Sequence, residues 1–411
     1  MRTIRLTQPL ETTVRGGHPW IFADALEKAA GLAAGDVVDL LDRHGEFLAR
    51  GTIEPGSPLA FRVWTLDPDE RVDAELVVRR LESALALRRE LLRADVTGFR
   101  ACHGEGDFLP GLQCDVYADV ASLRTDGELG VAWEERFVAA VRRVIAPRAI
   151  VVRNPRVAEG EARLVHGDLH GNVDDEIEIV EHGRRFLVDV LRGQKTGFFL
   201  DQRENRDRVG AIARGRRVLN LFGYTGGFSV AAALCGATRV TTVDLAAPAV
   251  ETARRNFSLN GLDPDEHEFV ARDAFDLLAE LAANGSGRES TALKGFAPSS
   301  SSSSLSAPFD LIVLDPPSFA SSRKLVPRAT KAYARLNELA LRVLPPGGWL
   351  ATSSCSSHLR EADFLAILAE ASRRAARAVT LTTVCGAAPD HPVRLGFPEG
   401  RYLKFVLLRV G

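Results

Sequence analysis

A chain of 411 residues exceeds one ordinary hydrophobic core, and a typical domain of about 150 residues divides it into two or three, of which three are expected here. With 45% hydrophobic and 26% charged residues it has the composition of a soluble globular protein; no run approaches the roughly 20 apolar residues of a membrane helix, and Met1 to Gln8 lack a signal peptide's apolar core, so a cytoplasmic location is expected. A net charge of −2 excludes general attraction to nucleic acid, and five scattered cysteines without a CxxC pair exclude a disulfide framework or a zinc cluster, so no metal is expected.

Residues 1–72 give short strands at 4–6, 36–41, 46–51 and 59–64, punctuated by Gly35, Gly45, Gly51, Pro55 and Gly56, which predicts a small β-barrel-like module. Residues 73–190 read as an α+β domain. Leu76, Val77, Leu81, Leu85 and Leu92 share one face of a helix over 74–93, a second helix covers 133–145, and strands fall near 114–120, 149–153 and 176–180. Residues 184–217 carry ten basic against four acidic side chains, which suits either a phosphate-binding surface or a solvated charged face. Within it, Lys195, Arg203 and Arg206 either hold RNA phosphates or pair with Asp201 and Glu204.

From residue 217 the pattern turns to alternating strands (218–221, 239–244, 268–271, 311–314, 349–352) and helices (228–234, 247–260, 274–283, 331–343, 361–376), the signature of a parallel sheet covered on both faces. The third domain is therefore set at 191–411. Its interruption at 284–308, with serines at every position from 299 to 304, is expected to be a disordered loop without catalytic content.

Ligands of such sheets bind at the carboxyl ends of the strands, where the chemistry of this chain collects. Phe222-Gly223-Tyr224-Thr225-Gly226-Gly227 allows close backbone approach to a ligand after one strand, and Asp244 ends the next, placed for ribose hydroxyls. Asp273 follows a third strand and can reach an adenine amino group. Asp315-Pro316-Pro317-Ser318-Phe319 closes a fourth, and Ser354-Cys355-Ser356 a fifth, with a cysteine where an apolar strand gives way to a polar turn. A cysteine at a strand end is commonly a small buried filler, and Cys102, Cys114, Cys235 and Cys385 keep that reading. The turn lacks the full dinucleotide fingerprint, which argues against an oxidoreductase.

In this order the elements resemble the class I S-adenosylmethionine-dependent methyltransferases. Residues 193–203 (Gly-Gln-Lys-Thr-Gly-Phe-Phe-Leu-Asp-Gln-Arg), Ser354-Cys355-Ser356, Asp390-His391-Pro392 and 397–404, together with His18-Pro19-Trp20-Ile21-Phe22 and Gly35-Asp36-Val37-Val38, narrow the resemblance to the ribosomal RNA large subunit methyltransferase I family. It covers nearly the whole chain and departs at the serine-rich stretch. It implies an N-terminal PUA domain that binds RNA, a middle α+β domain and a Rossmann-like catalytic domain; S-adenosylmethionine held by residues 222–227, Asp244, Asp273 and Asp315; and 5-methylcytosine formation in 23S RNA. Family members can be homodimers.

That product explains a nucleophile, because carbon 5 of cytosine is too electron-poor to attack a methyl sulfonium until a thiolate adds at carbon 6. Cys355 is the expected nucleophile, and Asp315 is suited to contact the base at N3 and its amine. Phe319 and Tyr402 suit stacking on a flipped base or core packing, and His391 suits lining the base pocket or capping a loop. His18 and Trp20 are expected in the barrel core. Two other functions fit the same residues: methylation of a guanine nitrogen, with Cys355 incidental, and a non-catalytic RNA-binding or ribosome-assembly role.

Overall fold

A computed structural model describes residues 1–154, 162–169, 176–285, 308–320 and 322–411. Contacts divide it into two compact units, one of Met1–Gly183, Leu187–Asp201 and Ala388–Gly400, the other of Arg184–Phe186, Gln202–Ala387 and Arg401–Gly411. The serine-rich stretch at 284–308, expected to be a disordered loop, falls almost wholly outside the described residues.

In the first unit, β1 (Thr3–Arg5), α1 (Glu11–Arg15), β2 (Trp20–Phe22), β3 (Val37–Leu41), β4 (Phe47–Ile53) and β5 (Leu59–Thr65) form a five-stranded sheet in the order β1-β3-β4-β5-β2. The sequence missed β2, three residues long and framed by His18, Pro19 and a turn. Strands β4 and β5 are buried at nearly every position, because the sheet curls around Ile4, Ile21, Val38, Leu40, Ile53 and Phe61. Gly51 is needed there, since a Cβ would lie 2.1 Å from the Arg62 carbonyl oxygen.

Helix α2 (Ala74–Leu91) starts at Asp73, whose carboxylate accepts from Leu76 N at 3.0 Å, and buries Leu76, Val77, Leu81 and Leu85. Strands β6 (Gly98–His103), β7 (Leu112–Tyr117) and β8 (Val120–Thr125), helix α3 (Gly127–Val144), and strands β9 (Ala149–Arg153) and β10 (Ala162–Gly167) follow, forming a second sheet in the order β10-β9-β8-β7-β6. Cys102 and Cys114 face each other across β6 and β7 as buried free thiols, which burial pushes up from the usual range. Trp133 of α3 packs on Trp64 of β5 at 4.9 Å and donates to the Gly35 carbonyl at 2.9 Å.

Segment 388–400 belongs to this unit by a buried polar network. Arg88 pairs with Asp107 and donates to the Asp390 carbonyl at 2.7 Å, while Arg100 N donates to Asp390 Oδ2 at 2.9 Å. A two-stranded sheet of β11 (Glu176–Glu181) and β12 (Arg184–Asp189) completes the first half of the chain, with the division between units falling inside β12.

The second unit runs through α4 (Arg203–Ala211), β13 (Arg217–Leu221), α5 (Gly227–Leu234), β14 (Arg239–Asp244), α6 (Ala247–Leu259), β15 (Glu268–Ala271), α7 (Ala274–Gly285), β16 (Leu311–Leu314), α8 (Val326–Val343), β17 (Trp349–Ser354), α9 (Glu361–Ala375), β18 (Val379–Cys385) and β19 (Lys404–Val410). Its seven-stranded sheet has the order β15-β14-β13-β16-β17-β19-β18, with β15 to β17 parallel and β19 antiparallel to both neighbours. Order reverses between β13 and β16, which is where such sheets open a crevice for ligands. Sequence reasoning located the five parallel strands and missed the last two. Among the described residues no helix is long and apolar enough to cross a membrane.

Candidate active site

The turn after β13 is built from unusual backbone. Phe222, Tyr224 and Gly226 have φ of 59°, 46° and 82°, so alternate residues take the left-handed conformation. Gly223 N donates to Val243 O at 2.9 Å, and a Cβ on Gly223 would lie 2.8 Å from Thr242 Cγ2, so the turn hugs β14 as only glycine permits. Asn256 Nδ2 fixes the far side through the Thr225 carbonyl at 2.8 Å. Gly227 then opens α5 with no side-chain cap on its first amides.

Two carboxylates border this cradle. Asp244 ends β14 and is locked by Tyr224 N on Oδ2 and Ala246 N on Oδ1, both at 2.9 Å. Asp273 stands after β15, whose last residue Ala271 is in register with Asp244; its Oδ1 accepts from Phe275 N at 2.8 Å and Asp276 N at 3.1 Å, capping α7. Both remain half-exposed. Acidic acceptors at adjacent strand ends beside a glycine-lined turn suit a nucleoside: hydroxyls at Asp244, an exocyclic amine at Asp273.

Across the switch point, β16 and β17 pair in parallel with Leu314 opposite Thr352, which brings Asp315 and Cys355 to neighbouring strand ends. Cys355 Sγ lies 4.0 Å from the Pro316 carbonyl oxygen and stays half-exposed. Gln202 Nε2 donates to Asp315 Oδ1 at 2.8 Å and to Ser353 Oγ at 3.2 Å. Gln202 is itself held by Asn205 Nδ2 on Oε1 at 2.6 Å. Ser356 ties the two loops together: its Oγ meets Ser318 Oγ at 3.0 Å and Tyr333 Oη at 3.2 Å.

Beneath this turn lies Lys404, opposite Ser354 in the β17–β19 register and 2% exposed. Its Nζ donates to the carbonyls of Ser356 at 2.6 Å and Tyr402 at 2.8 Å. Burial holds the ammonium down to about 8, while Cys355 and Glu361 favour its charged form. Burial likewise pushes the Tyr333 phenol up.

A family model for S-adenosylmethionine-dependent methyltransferases matches residues 161–289, and one for a PUA-like domain matches 4–66. The chain is 37% identical to a ribosomal RNA large subunit methyltransferase I of Aeromonas salmonicida over 413 residues, covering 99% of this chain and 98% of that one. The chain belongs to the ribosomal RNA large subunit methyltransferase I family. A family member of Shewanella denitrificans is 36% identical over 414 residues, 99% of both chains. Two solved structures share the fold over their full length at 22% identity: a candidate S-adenosylmethionine-dependent methyltransferase from Streptococcus mutans, with a TM-score of 0.83, and a candidate methyltransferase complexed with S-adenosylhomocysteine, with a TM-score of 0.84. The N-terminal barrel is accordingly PUA-like, the catalytic unit Rossmann-like, and the cofactor S-adenosylmethionine, which the cradle and its two carboxylates fit.

For this member of the methyltransferase I family, the structure gathers residues 222–227, Asp244, Asp273, Asp315 and Cys355 along one edge of one sheet. Phe319 packs on Tyr333 with ring centroids 4.8 Å apart and against the core, and Tyr402 is half-buried. Lys195 and His391 lie in the other unit. Lys195 Nζ is 3.4 Å from Asp201 Oδ2 and 4.4 Å above the Phe199 ring. His391 is buried, with Nδ1 on Asp390 Oδ1 at 3.0 Å.

Two expectations need correction. Arg203 and Arg206 are 0% and 2% exposed, Arg203 beside Glu204 at 3.5 Å and Arg206 over the Phe186 ring, so burial removes both from any phosphate-facing surface. The basic run is partly consumed by ion pairs, Arg184–Asp207 and Arg192–Asp189 among them. His18 and Trp20 are only half-buried and stand outside the barrel core: Trp20 Nε1 donates to Glu105 at 2.8 Å, and both rings pack on Phe397. Gln202 and Lys404 lie within the family-like segments, and the sequence signal for their contacts is only a polar residue in an otherwise buried stretch.

Proposed function

We propose that this chain methylates carbon 5 of a cytosine in the 23S RNA of the large ribosomal subunit, with Cys355 as nucleophile. The carrying observation is that a half-exposed thiol and the Asp315 carboxylate stand at the ends of neighbouring parallel strands, beside the cofactor cradle. S-adenosylmethionine, when bound there, supplies the electrophilic methyl group that carbon 5 takes up.

The residues of the chain do the rest. The Cys355 thiolate adds to carbon 6, which makes carbon 5 enamine-like, and it departs again when carbon 5 loses its proton. Asp315, steered by Gln202, contacts the base at N3 and its amine and stabilises the adduct. Asp244 and Asp273 hold the ribose and adenine of the cofactor. The PUA-like barrel binds RNA, and Lys195, partly exposed, contacts phosphate in this reading. The barrel, the middle α+β region and the catalytic region are three domains, bounded at residues 72 and 190.

RNA carrying 5-fluorocytidine tests this, because fluorine cannot leave as a proton does and the adduct cannot resolve. Accumulation of a protein–RNA crosslink on Cys355 is the expected result, and its absence with active enzyme contradicts the assignment. In the guanine-methylating alternative no such crosslink forms.

A further inference from the structure

We propose that the buried ammonium of Lys404 is the countercharge that keeps Cys355 as a thiolate before substrate arrives. The inference rests on the reading of Cys355 as the nucleophile and concerns what makes that sulfur reactive at neutral pH.

Lys404 is a costly residue to place where it is. A buried ammonium is stabilised chiefly by a carboxylate partner. Among the described residues no carboxylate lies within ion-pair distance of Lys404, whose ammonium donates to two neutral carbonyls, those of Ser356 and Tyr402. Both accept N–H bonds, so the amine is held as a donor.

The position selects the partner. Lys404 begins β19 opposite Ser354 and grips the carbonyl of Ser356, which brackets Cys355 on both sides. Deprotonation of Cys355 supplies an anion one residue from the gripped carbonyl. The thiol proton leaves to solvent, Lys404 keeps its three protons, and the buried ammonium gains a neighbouring anion. A cation beside a cysteine lowers its pKa and raises its thiolate fraction. The other ionisable groups on the elements packed here are Tyr333 on α8, Asp315 after β16, His358 in the same turn and Glu361 at the start of α9. Tyr333 stays neutral near pH 7, while Asp315 opposes a second anion and Glu361 shares the field of Lys404.

The test is the pH profile of Cys355 alkylation by iodoacetamide, read by peptide mass spectrometry on ligand-free wild type, Lys404→Met and Lys404→Arg, from about pH 5 to 10. In wild type, Cys355 is expected to titrate well below the usual value of about 8.5. In Lys404→Met the midpoint rises by about one unit or more, roughly a tenfold loss of thiolate at neutral pH, and Lys404→Arg keeps the wild-type profile. A wild-type midpoint at the ordinary thiol value overturns the proposal without any variant. So does an unchanged midpoint in Lys404→Met that still binds S-adenosylmethionine. Failure of the underlying reading shows separately, as 5-methylcytidine formation that survives Cys355→Ala whatever the titration gives.

Discussion

Gln202 donates from Nε2 to Asp315 Oδ1 at 2.8 Å, joining residues 113 positions apart. The amide thereby holds in place the carboxylate proposed to meet the edge of a base. Gln202→Leu is expected to lower kcat by on the order of 100-fold, the usual result of misplacing a reacting group by about 1 Å. Cofactor affinity should be unchanged by titration calorimetry. An effect on cofactor affinity alone would assign Gln202 to the cradle.

Asp244 has both oxygens tied to backbone amides of the turn and the start of α6. Asp244→Ala removes the proposed ribose acceptor and the lock on Tyr224 N together. A weakening of S-adenosylmethionine binding by roughly 10- to 100-fold is expected, the scale of a hydrogen bond to a charged group. Calorimetry with the cofactor reads it directly, and an unchanged affinity would move the ribose elsewhere.

Gly226 has φ of 82°, and a Cβ there would stand 2.9 Å from that of Ala253. Gly226→Ala should therefore cost about 1–2 kcal/mol from the left-handed backbone, before the clash is relieved. Thermal unfolding with and without cofactor checks this; a stability equal to wild type would mean that the turn readily takes another conformation.

His103 provides a pH dependence. It keeps part of its surface, yet Arg100 Nη1 donates to its Nδ1 at 2.8 Å, and desolvation, then His391, Arg100 and Arg88, hold its pKa well below 6.5. The folded state thus binds fewer protons than the unfolded one below pH 6.5. Its contribution to stability is complete above that value and is lost as pH falls. His103→Gln should flatten the decline in stability between pH 6.5 and more acidic solution, measured by denaturant unfolding. An equal slope in wild type and variant would contradict it.

The strand ends were legible because buried parallel strands read as apolar runs that give way to chemically distinctive residues, abruptly at Leu314–Asp315 and through Thr352-Ser353-Ser354 before Cys355. β18 and β19 were not, since Lys404–Val410 follows a loop already taken as a motif and its role as a strand depends on pairing with β17. Arg203 and Arg206 show the opposite failure. Counting charge along a segment cannot reveal that the helix carrying it turns those side chains inward. Gln202 and Lys404 act through partners chosen by register and reach, which spacing along the chain does not encode.

Incubation of wild type and Cys355→Ala with labelled S-adenosylmethionine and undermethylated 23S RNA, followed by digestion to nucleosides and mass spectrometry of the labelled species, identifies the methylated base and the role of the thiol together. Label in 5-methylcytidine that vanishes in the variant is the expected result. Label in a guanosine derivative that survives the substitution would contradict it.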